Sequence, residues 1–239
     1  MIQPSIDLRS DTITRPTSDM LKAMYEAKTG DDVFAEDPAA VELQERCAAL
    51  FGHESALYCP SGTMTNQIAI NVHVRPGDEV VCDRKSHIYN YEGGGIARNS
   101  GASVRLIEGD NGRFRWSDVI SEINPSDSHY ARTSLVSVED TCNRGGGSVW
   151  DLQDLRDIQT GCRGINLPLH LDGARVWNAL IARNNNAVPT EDIWRSYGKT
   201  FDSISVCFSK GLGAPVGSVL IGGQSFIEEV HRTRKVLGG

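Results

Sequence analysis

Hydrophobic positions along the chain fall into two alternating patterns. Short continuous apolar runs are typical of buried strands, and apolar residues three or four positions apart are typical of helices. Strands are predicted at seven short apolar runs, which cover residues 55–59, 79–82, 103–107, 134–138, 167–171, 203–208 and 218–221. Helical spacing and helix-start signals predict a helix that opens at 61–63 and others at 18–29, 38–51, 89–98, 117–123, 151–160, 174–182 and 225–236.

The alternation of strands and helices predicts right-handed βαβ units. We therefore expect an α/β fold with three α/β/α layers around a mostly parallel central sheet. No linker or internal repeat divides the chain, so we expect residues 1–239 to form one domain. Ligands of open α/β sheets bind beyond the carboxyl ends of the strands. The residues that directly follow predicted strands are therefore the first candidates for a functional site.

Composition narrows the classes of partner. The 239 residues include 31 acidic and 24 basic side chains, a formal charge of −7, and the bases are scattered along the chain. This pattern does not favour a nucleic-acid partner. No run approaches the roughly 18 apolar residues of a membrane helix, and the N-terminus lacks the basic and apolar blocks of a secretory signal. We expect a cytoplasmic protein without a membrane partner.

The cysteines and histidines do not indicate a metal site. Six cysteines are widely spaced without a C-x-x-C pair, which is typical of reduced thiols rather than of a disulfide framework. The six histidines show no i, i+4 pairing, and no Cys/His cluster has zinc spacing. We therefore expect no bound metal.

Two candidate positions suit a phosphate and a flat ring. Ser61-Gly62-Thr63 lies at a strand-to-helix turn, where unpaired N–H groups and the positive end of the helix dipole suit a phosphate. An ordinary helix capped by Ser61 is the alternative. His87 follows the strand that ends at Cys82, and its imidazole can stack on a heteroaromatic ring or carry a proton. A solvated or structural loop histidine is the alternative there.

Two further strand ends carry opposite charges. Asp172 directly follows the strand 167–171, and a carboxylate there can keep a pyridine nitrogen protonated. Lys210 follows the strand 203–208, and a desolvated amine at such a position is a nucleophile suited to a Schiff base. The alternatives are an aspartate that caps the next helix and a lysine that extends into solvent. Together the four positions match, in chain order, the phosphate cradle, ring stacker, pyridinium partner and Schiff-base lysine of pyridoxal-phosphate (PLP) enzymes with the aspartate-aminotransferase fold.

Several motifs resemble those of the L-threonine aldolases. The matching motifs are Ile6-Asp7-Leu8-Arg9-Ser10-Asp11-Thr12 with Thr14-Arg15-Pro16, Gly30-Asp31-Asp32-Val33, Ser61-Gly62-Thr63-Met64, His170-Leu171-Asp172-Gly173-Ala174-Arg175, and Ser209-Lys210-Gly211-Leu212-Gly213-Ala214-Pro215-Val216-Gly217-Ser218. The last is the most specific, and the resemblance extends over nearly the whole chain, about residues 6–239. It implies a PLP-dependent enzyme of fold type I.

The resemblance assigns residues around the cofactor. It implies that Lys210 holds PLP as a Schiff base and that Asp172 pairs with the pyridine nitrogen. It also implies that Ser61, Gly62 and Thr63 bind the phosphate.

The resemblance assigns a second set of residues to the ring and the substrate. His87 is expected to stack on the ring, and Arg175 to contact the ring oxygen or the substrate carboxylate. Ser10 is expected to help bind that carboxylate. His129 matches a histidine near the β-hydroxyl of the substrate, and Lys235 matches a lysine that lines the site. Either His129 or His87 is then the base that removes the β-hydroxyl proton.

The activity implied is the aldol cleavage of L-threonine or L-allo-threonine to glycine and acetaldehyde. The family resemblance also implies a homodimer or homotetramer. Within this scheme residues 1–30 form an N-terminal segment that contributes to the active site, and residues 31–239 form the PLP-binding large domain. The family has a smaller C-terminal domain after the Gly238-Gly239 pair, and we expect it to be absent from this chain.

One motif departs from the family, and other functions stay open. Residues 139–143 read Glu-Asp-Thr-Cys-Asn where the family more often has Glu-Asn-Thr-His-Asn. Another PLP enzyme of the same fold, a β-eliminating lyase or an aminotransferase, is one alternative, and an inactive truncated relative is another. A dinucleotide site is disfavoured, because Gly211-x-Gly213-x-x-x-Gly217 has the wrong final spacing.

Overall fold

The centre of the molecule is one seven-stranded sheet with the strand order β1-β7-β6-β5-β4-β2-β3. The computed structural model describes residues 6–239. The strands are β1 (Ser55–Cys59), β2 (Glu79–Asp83), β3 (Ser103–Ile107), β4 (Thr133–Glu139), β5 (Leu169–Gly173), β6 (Ser203–Cys207) and β7 (Ser218–Gly222). Strand β7 pairs antiparallel with β1 and β6, and the other pairs are parallel. The predicted mostly parallel sheet is confirmed.

Helices cover both faces of the sheet. The α-helices of the described residues are α1 (Ser18–Glu26), α2 (Pro38–Phe51), α3 (Gly62–His73), α4 (His87–Asn90), α5 (Gly95–Ser100), α6 (Trp116–Glu122), α7 (Leu152–Gly164), α8 (Val176–Arg183), α9 (Glu191–Gly198) and α10 (Gln224–Val236), of which α1 does not pack on the sheet. Successive side chains of a strand point to opposite faces. Val81 accordingly joins the core cluster that contains Leu155 of α7, whereas its neighbour Val80 joins the cluster that contains Ile70 of α3. The predicted three-layer α/β/α architecture is therefore confirmed.

Helix α2 shows how local sequence sets the helix limits. The Asp37 carboxylate accepts a hydrogen bond from the Ala40 N–H at 2.9 Å, and Pro38 occupies the first turn. Gly52 ends the helix with a φ of 71°, a left-handed conformation that glycine adopts without strain. Both limits agree with the prediction from sequence.

Several helix predictions differ from the structure, and α7 extends to Gly164 instead of ending at residue 160. The single helix predicted at 89–98 is wrong, because Gly93 and Gly94 have φ angles of 64° and 70° and separate α4 from α5. Helix α1 ends at Glu26 instead of residue 29. Helix α9 was not predicted, since its apolar content is small and only Trp194 and Tyr197 supply large buried side chains. None of the helices in residues 6–239 has the length and apolar content that crossing a bilayer requires.

The carboxyl ends of the parallel strands form one edge of the sheet, and most candidate residues lie there. Because β7 is antiparallel, it begins at this edge. The residues at or just past the edge are Ser61 after β1, His87 after β2, Glu139 at the end of β4, Asp172 in β5, Lys210 after β6 and Ser218 at the start of β7.

Candidate active site

Asp172 is a buried carboxylate near the carboxyl end of β5, the central strand of the sheet. It is 2% exposed and pairs in register with Glu139 of β4. Its Oδ2 accepts a hydrogen bond from the Asn66 side-chain amide at 2.9 Å, and its Oδ1 accepts one from the Ala174 N–H at 3.2 Å. Helix α8 has Arg175 as its N-cap residue. Asp172 is therefore not the capping residue of that helix, which removes the alternative interpretation of its position.

His87 is connected to Asp172 by hydrogen bonds through Glu92 and Asn66. Its Nδ1 lies 3.0 Å from Oε1 of Glu92, whose side chain is completely buried. The same Oε1 accepts from the Asn66 amide at 2.9 Å, and Oε2 accepts from the Gln67 amide at 2.6 Å. The hydrogen bond to Glu92 raises the pKa of His87 above its ordinary value. Its Nε2 is left available, since Nδ1 is used by Glu92.

Three side chains of this cluster have the donor types of a metal site. Ligand atoms of His87, Glu92 and Asp172 all lie within 4.8 Å of one another. The hydrogen bonds from Asn66 to both carboxylates and from His87 to Glu92 account for the close approach. The absence of a bound metal stays a prediction from sequence.

Glu139 is a second buried acid next to Asp172. It is 5% exposed, its Oε2 accepts from the His87 backbone N–H at 2.9 Å, and its Oε1 accepts from the Asn143 N–H at 3.0 Å. Burial, followed by the charge of Asp172, raises the pKa of Glu139 to about 7. Glu139 therefore joins the loop before α4 to the loop after β4. Sequence reasoning gave it no role, although an acid that closes a strand beside the Asp172 strand was a usable signal.

Lys210 follows β6, which lies directly beside the Asp172 strand β5. It is partly buried, and its backbone carbonyl accepts hydrogen bonds from the Thr14 hydroxyl at 2.5 Å and the Gly213 N–H at 2.9 Å. Gly213 has a φ of 78°, which closes a tight turn after the lysine. Asp172 and Lys210 therefore come from the same ends of neighbouring parallel strands.

The start of α3 has the features of an anion-binding helix end. The Ser61 hydroxyl accepts from the Met64 N–H at 3.1 Å, so Ser61 does cap the helix. The N–H groups of Gly62 and Thr63 lie in the first turn, where a helix provides no acceptor. The nearest atom to a Cβ built on Gly62 is Oγ of Ser218 at 3.6 Å, and that buried hydroxyl has no hydrogen-bond partner among the described residues.

Arg175 faces a cleft of about 1020 Å³ that Ser10, Asp11 and Arg144 also line. Its guanidinium binds Asp11 through two hydrogen bonds of 2.8 and 2.7 Å. This pairing lowers the pKa of Asp11. Asp11 belongs to the Arg9-Ser10-Asp11 part of the N-terminal motif, for which the sequence predicted a site role for Ser10 only. The N-terminal segment therefore reaches the cleft through Asp11.

Two predicted site residues do not join this cluster within the chain. His129 precedes β4 and is therefore at the amino end of that strand, opposite the edge that carries Asp172. Its side chain is 86% exposed and its Nδ1 lies 2.7 Å from Asp127. Lys235 is exposed near the end of α10, beside Val33. Their roles stay predictions, and that of His129 requires a site other than the one in its own chain.

The residues that depart from the family motif are buried behind the site. The Asp140 carboxylate accepts hydrogen bonds from Arg183 at 2.6 Å and from the Tyr197 hydroxyl at 2.7 Å. It therefore connects β4 to α8 and α9. Cys142 is fully buried against Gly112, where a Cβ would lie 2.1 Å from the Cys142 sulfur. Asp140 and Cys142 are therefore buried under the loop, and neither side chain lines the cleft.

Comparisons with known proteins place this geometry in a family. Residues 7–239 match the beta-eliminating lyase family. The chain is 42% identical over 237 residues to the low specificity L-threonine aldolase of Saccharomyces cerevisiae, covering 98% of this chain and 59% of that protein. It is 40% identical over 235 residues to the low specificity L-threonine aldolase of Escherichia coli, covering 98% of this chain and 68% of that protein. The chain thus spans about three fifths of the length of the yeast relative.

A solved structure shows the same fold. Threonine aldolase from Leishmania major superposes with a TM-score of 0.80 and 22% sequence identity, over 95% of this chain and 66% of that one. The sequence matches confirm the family resemblance inferred from the motifs.

Proposed function

The chain belongs to the beta-eliminating lyase family, and on that basis we propose that it is a PLP-dependent lyase that cleaves L-threonine and L-allo-threonine to glycine and acetaldehyde. One observation carries the proposal. The buried Asp172 carboxylate and the Lys210 turn lie at the same ends of adjacent strands, with His87 held beside them by Glu92. The low specificity L-threonine aldolases to which the chain is similar supply the substrate class.

The residues at this edge fit the parts of PLP. Asp172 offers a buried anion for the protonated ring nitrogen. The first turn of α3, with the hydroxyls of Ser61 and Thr63 and the buried hydroxyl of Ser218, which has no hydrogen-bond partner within residues 6–239, offers donors for a phosphate. Lys210 offers the primary amine that is the nucleophile for an aldehyde. When bound, PLP supplies an electron sink for the pair released as the Cα–Cβ bond breaks.

His87 is the favoured base for the β-hydroxyl proton. Its Nδ1–H donates to Glu92, so its Nε2 is the nitrogen that accepts a proton. Its side chain is 31% exposed, so part of the imidazole is accessible. Tyr91 packs beside the ring with centroids 5.7 Å apart, and the Arg144 guanidinium lies 4.5 Å from the Tyr91 ring centre. These contacts limit the movement of the imidazole.

The substrate carboxylate is proposed to bind at Arg175 with help from Ser10. A planar guanidinium binds a carboxylate through two parallel hydrogen bonds. Asp11 already holds Arg175 in this manner, so Asp11 orients the guanidinium and competes with the substrate for it. Lys235 and His129, which lie away from this cluster in their own chain, are proposed to act at the site of a second copy.

A homodimer or homotetramer is proposed because the N-terminal segment leaves apolar surface uncovered. Helix α1 has no buried residue, and Leu21 and Tyr25 on it are 53% and 92% exposed. Met24 of the same helix is 45% exposed, and a contiguous exposed apolar surface is the kind that marks a protein–protein interface. We also propose that residues 1–30 contribute to the active site, that residues 31–239 form the PLP-binding domain, and that the protein is cytoplasmic.

Product analysis tests the proposed reaction. Purified chain with PLP and L-threonine is expected to release glycine and acetaldehyde, and Lys210→Ala is expected to release neither. Lys199→Ala is the matched control, because Lys199 is exposed and precedes β6 at the far edge of the sheet. Release of ammonia and a keto acid instead would identify a β-eliminating lyase. Turnover that survives in Lys210→Ala would overturn the proposal.

A further inference from the structure

A series of hydrogen bonds between buried polar side chains, called the hydrogen-bond chain below, runs beneath Asp172. Asn66 of α3 is 2% exposed and contacts three groups at once. Its amide nitrogen lies 2.9 Å from Oδ2 of Asp172 and 2.9 Å from Oε1 of Glu92, and its carbonyl oxygen lies 3.2 Å from Nε2 of His170. Asn66 therefore sits between the two carboxylates that face the proposed cofactor and its stacking histidine.

The hydrogen-bond chain continues from His170 through Ser203 to His73. Nδ1 of His170 and Nε2 of His73 each lie 2.8 Å from the Ser203 hydroxyl. His170 and Ser203 are completely buried. Burial lowers the pKa of His170 to about 3 and that of His73 to about 4. Both rings are therefore neutral near pH 7, and each carries one proton.

The direction of every hydrogen bond in this chain follows from its chemistry. Carboxylates only accept, so both amide protons of Asn66 point at Asp172 and Glu92. The Asn66 carbonyl must then accept, which places the single proton of His170 on Nε2. Nδ1 of His170 consequently accepts the one Ser203 proton, and the Ser203 oxygen accepts the Nε2 proton of His73.

We propose that Asn66 is a positioning residue for Asp172 and Glu92, and that its amide, oriented by these two carboxylates, sets the hydrogen-bond directions of His170, Ser203 and His73 in turn. The inference rests on the proposed function, because Asp172 is taken as the partner of the cofactor ring. Every donor in the chain points toward the two carboxylates. Asn66 therefore holds one oxygen of Asp172 from below and, through Glu92, holds the ring of His87.

The arrangement also explains why two buried acids approach so closely. Glu92 and Asp172 share a single amide group, whose two N–H bonds partly offset their mutual repulsion. A metal ion held by His87, Glu92 and Asp172 is the competing explanation. The two explanations differ at Asn66, because a metal does not require that the amide protons face the carboxylates.

A measurement on the apoprotein tests the predicted directions of these hydrogen bonds. Long-range proton–nitrogen NMR of the ¹⁵N-labelled apoprotein reports which ring nitrogen of each histidine carries the proton. Signals are assigned by their loss in His73→Gln and His170→Gln. We expect neutral rings with the proton on Nε2 for both His73 and His170 at pH 7. A proton on Nδ1 of His170, or a charged His170, would overturn the inference.

A binding measurement tests the consequence for the site. Asn66→Asp replaces two donors by acceptors that face two carboxylates, so the dissociation constant for PLP is expected to rise about tenfold or more. Asn71→Asp is the matched control on the same helix, since Asn71 binds the Asn99 carbonyl away from Asp172. Equal PLP affinity in Asn66→Asp and Asn71→Asp would overturn the inference while leaving the proposed function intact. If wild type does not bind PLP, the proposed function fails, and the NMR result alone decides the direction of the chain.

A milder variant keeps the test open if Asn66→Asp does not fold. Ser203→Ala removes the hydroxyl between the two histidines without adding charge. The expected result is that His170 keeps its Nε2 proton, because the Asn66 carbonyl still accepts it, whereas His73 loses its acceptor and shows a mixture of both ring forms. A proton on Nδ1 of His170, or an unchanged single ring form of His73, in Ser203→Ala would contradict the proposed hydrogen-bond chain.

Discussion

At the scale of single residues, two neighbouring acids are held in different ways. Asp172 accepts from a side-chain amide that is itself hydrogen-bonded to His170, whereas Glu139 accepts from two backbone N–H groups. Burial and the adjacent Asp172 charge raise the pKa of Glu139 to about 7. Two carboxylates this close carry charge unequally, because the second is easier to protonate once the first is ionised.

Glu139→Gln tests this inequality through the pH dependence of stability. Between pH 4.5 and about 7 the folded chain keeps a proton on Glu139 that the unfolded chain releases. Protonated Glu139 therefore stabilises the fold at low pH. As the pH rises from 4.5 to about 7, the free energy of unfolding falls by at most about 1.4 kcal/mol per pH unit, and the contribution is lost above about pH 7. Glutamine stays neutral, so the free energy of unfolding of Glu139→Gln is expected to fall less from about pH 5 to about pH 8. Denaturant titration measures this, and identical pH profiles for the two proteins would contradict it.

Asp172→Asn tests the charge without changing the shape. The asparagine keeps an oxygen for the Asn66 amide but carries no charge for a protonated ring nitrogen. We expect kcat for threonine cleavage to fall about 10²-fold or more. Circular dichroism checks that the fold is retained. A variant with wild-type kcat would contradict the role of Asp172.

Residues at strand ends could be predicted from sequence, whereas residues that support them could not. Lys210 and Asp172 each follow an apolar run in a specific motif, so their position and chemistry are visible in the chain. Asn66 and Glu92 lie on a helix and a loop and meet only when the chain folds, and no spacing rule connects them. The place of His129 could have been inferred, because it precedes the predicted strand 134–138 and therefore lies at the amino end of that strand.

At the scale of elements, the turn between α4 and α5 depends on a glycine. A Cβ on Gly95 would lie 2.3 Å from the side-chain oxygen of Gln67, and Gln67 is buried and bonded to Glu92. The apolar pattern at 89–98 suggested one helix, but the close approach of α3 and the left-handed Gly93 and Gly94 require two. Strand positions were easier to predict, because each is a short run of buried apolar residues bounded by polar ones.

Gly95→Ala is expected to destabilise the protein by about 1–3 kcal/mol, because the Gln67 amide must move and release Glu92. Thermal unfolding measures the loss. Gly164→Ala is the control, since nothing lies within 4 Å of a Cβ at that position at the end of α7. The control is expected to match wild type within a few tenths of a kcal/mol or to gain stability. Equal melting temperatures for the two variants would contradict the close approach.

At the scale of the whole molecule, the sheet brings distant segments together at one edge. The mostly parallel sheet and the three layers could be predicted, because βαβ units constrain handedness and strand direction, whereas the strand order could not. The antiparallel β7 was not foreseen, since a strand's direction depends on which edge its connection reaches. The exposed α1 is also a whole-molecule feature, because its apolar face contacts little of the described chain.

The oligomer proposal predicts a mass that is a multiple of 26.1 kDa in light scattering of the purified chain. Replacing Leu21 and Tyr25 together by glutamate is expected to reduce that mass, because both side chains are exposed on α1. A monomeric wild type, or an unchanged assembly in the double variant, would contradict a role of α1 in the interface.

Borohydride reduction of the chain with bound PLP identifies the lysine that holds the cofactor. Reduction fixes a phosphopyridoxyl group on whichever lysine holds the cofactor, and peptide mass mapping locates it. We expect one modified site at Lys210, absent in Lys210→Ala. Modification at another lysine only, or no modification at all, would contradict it.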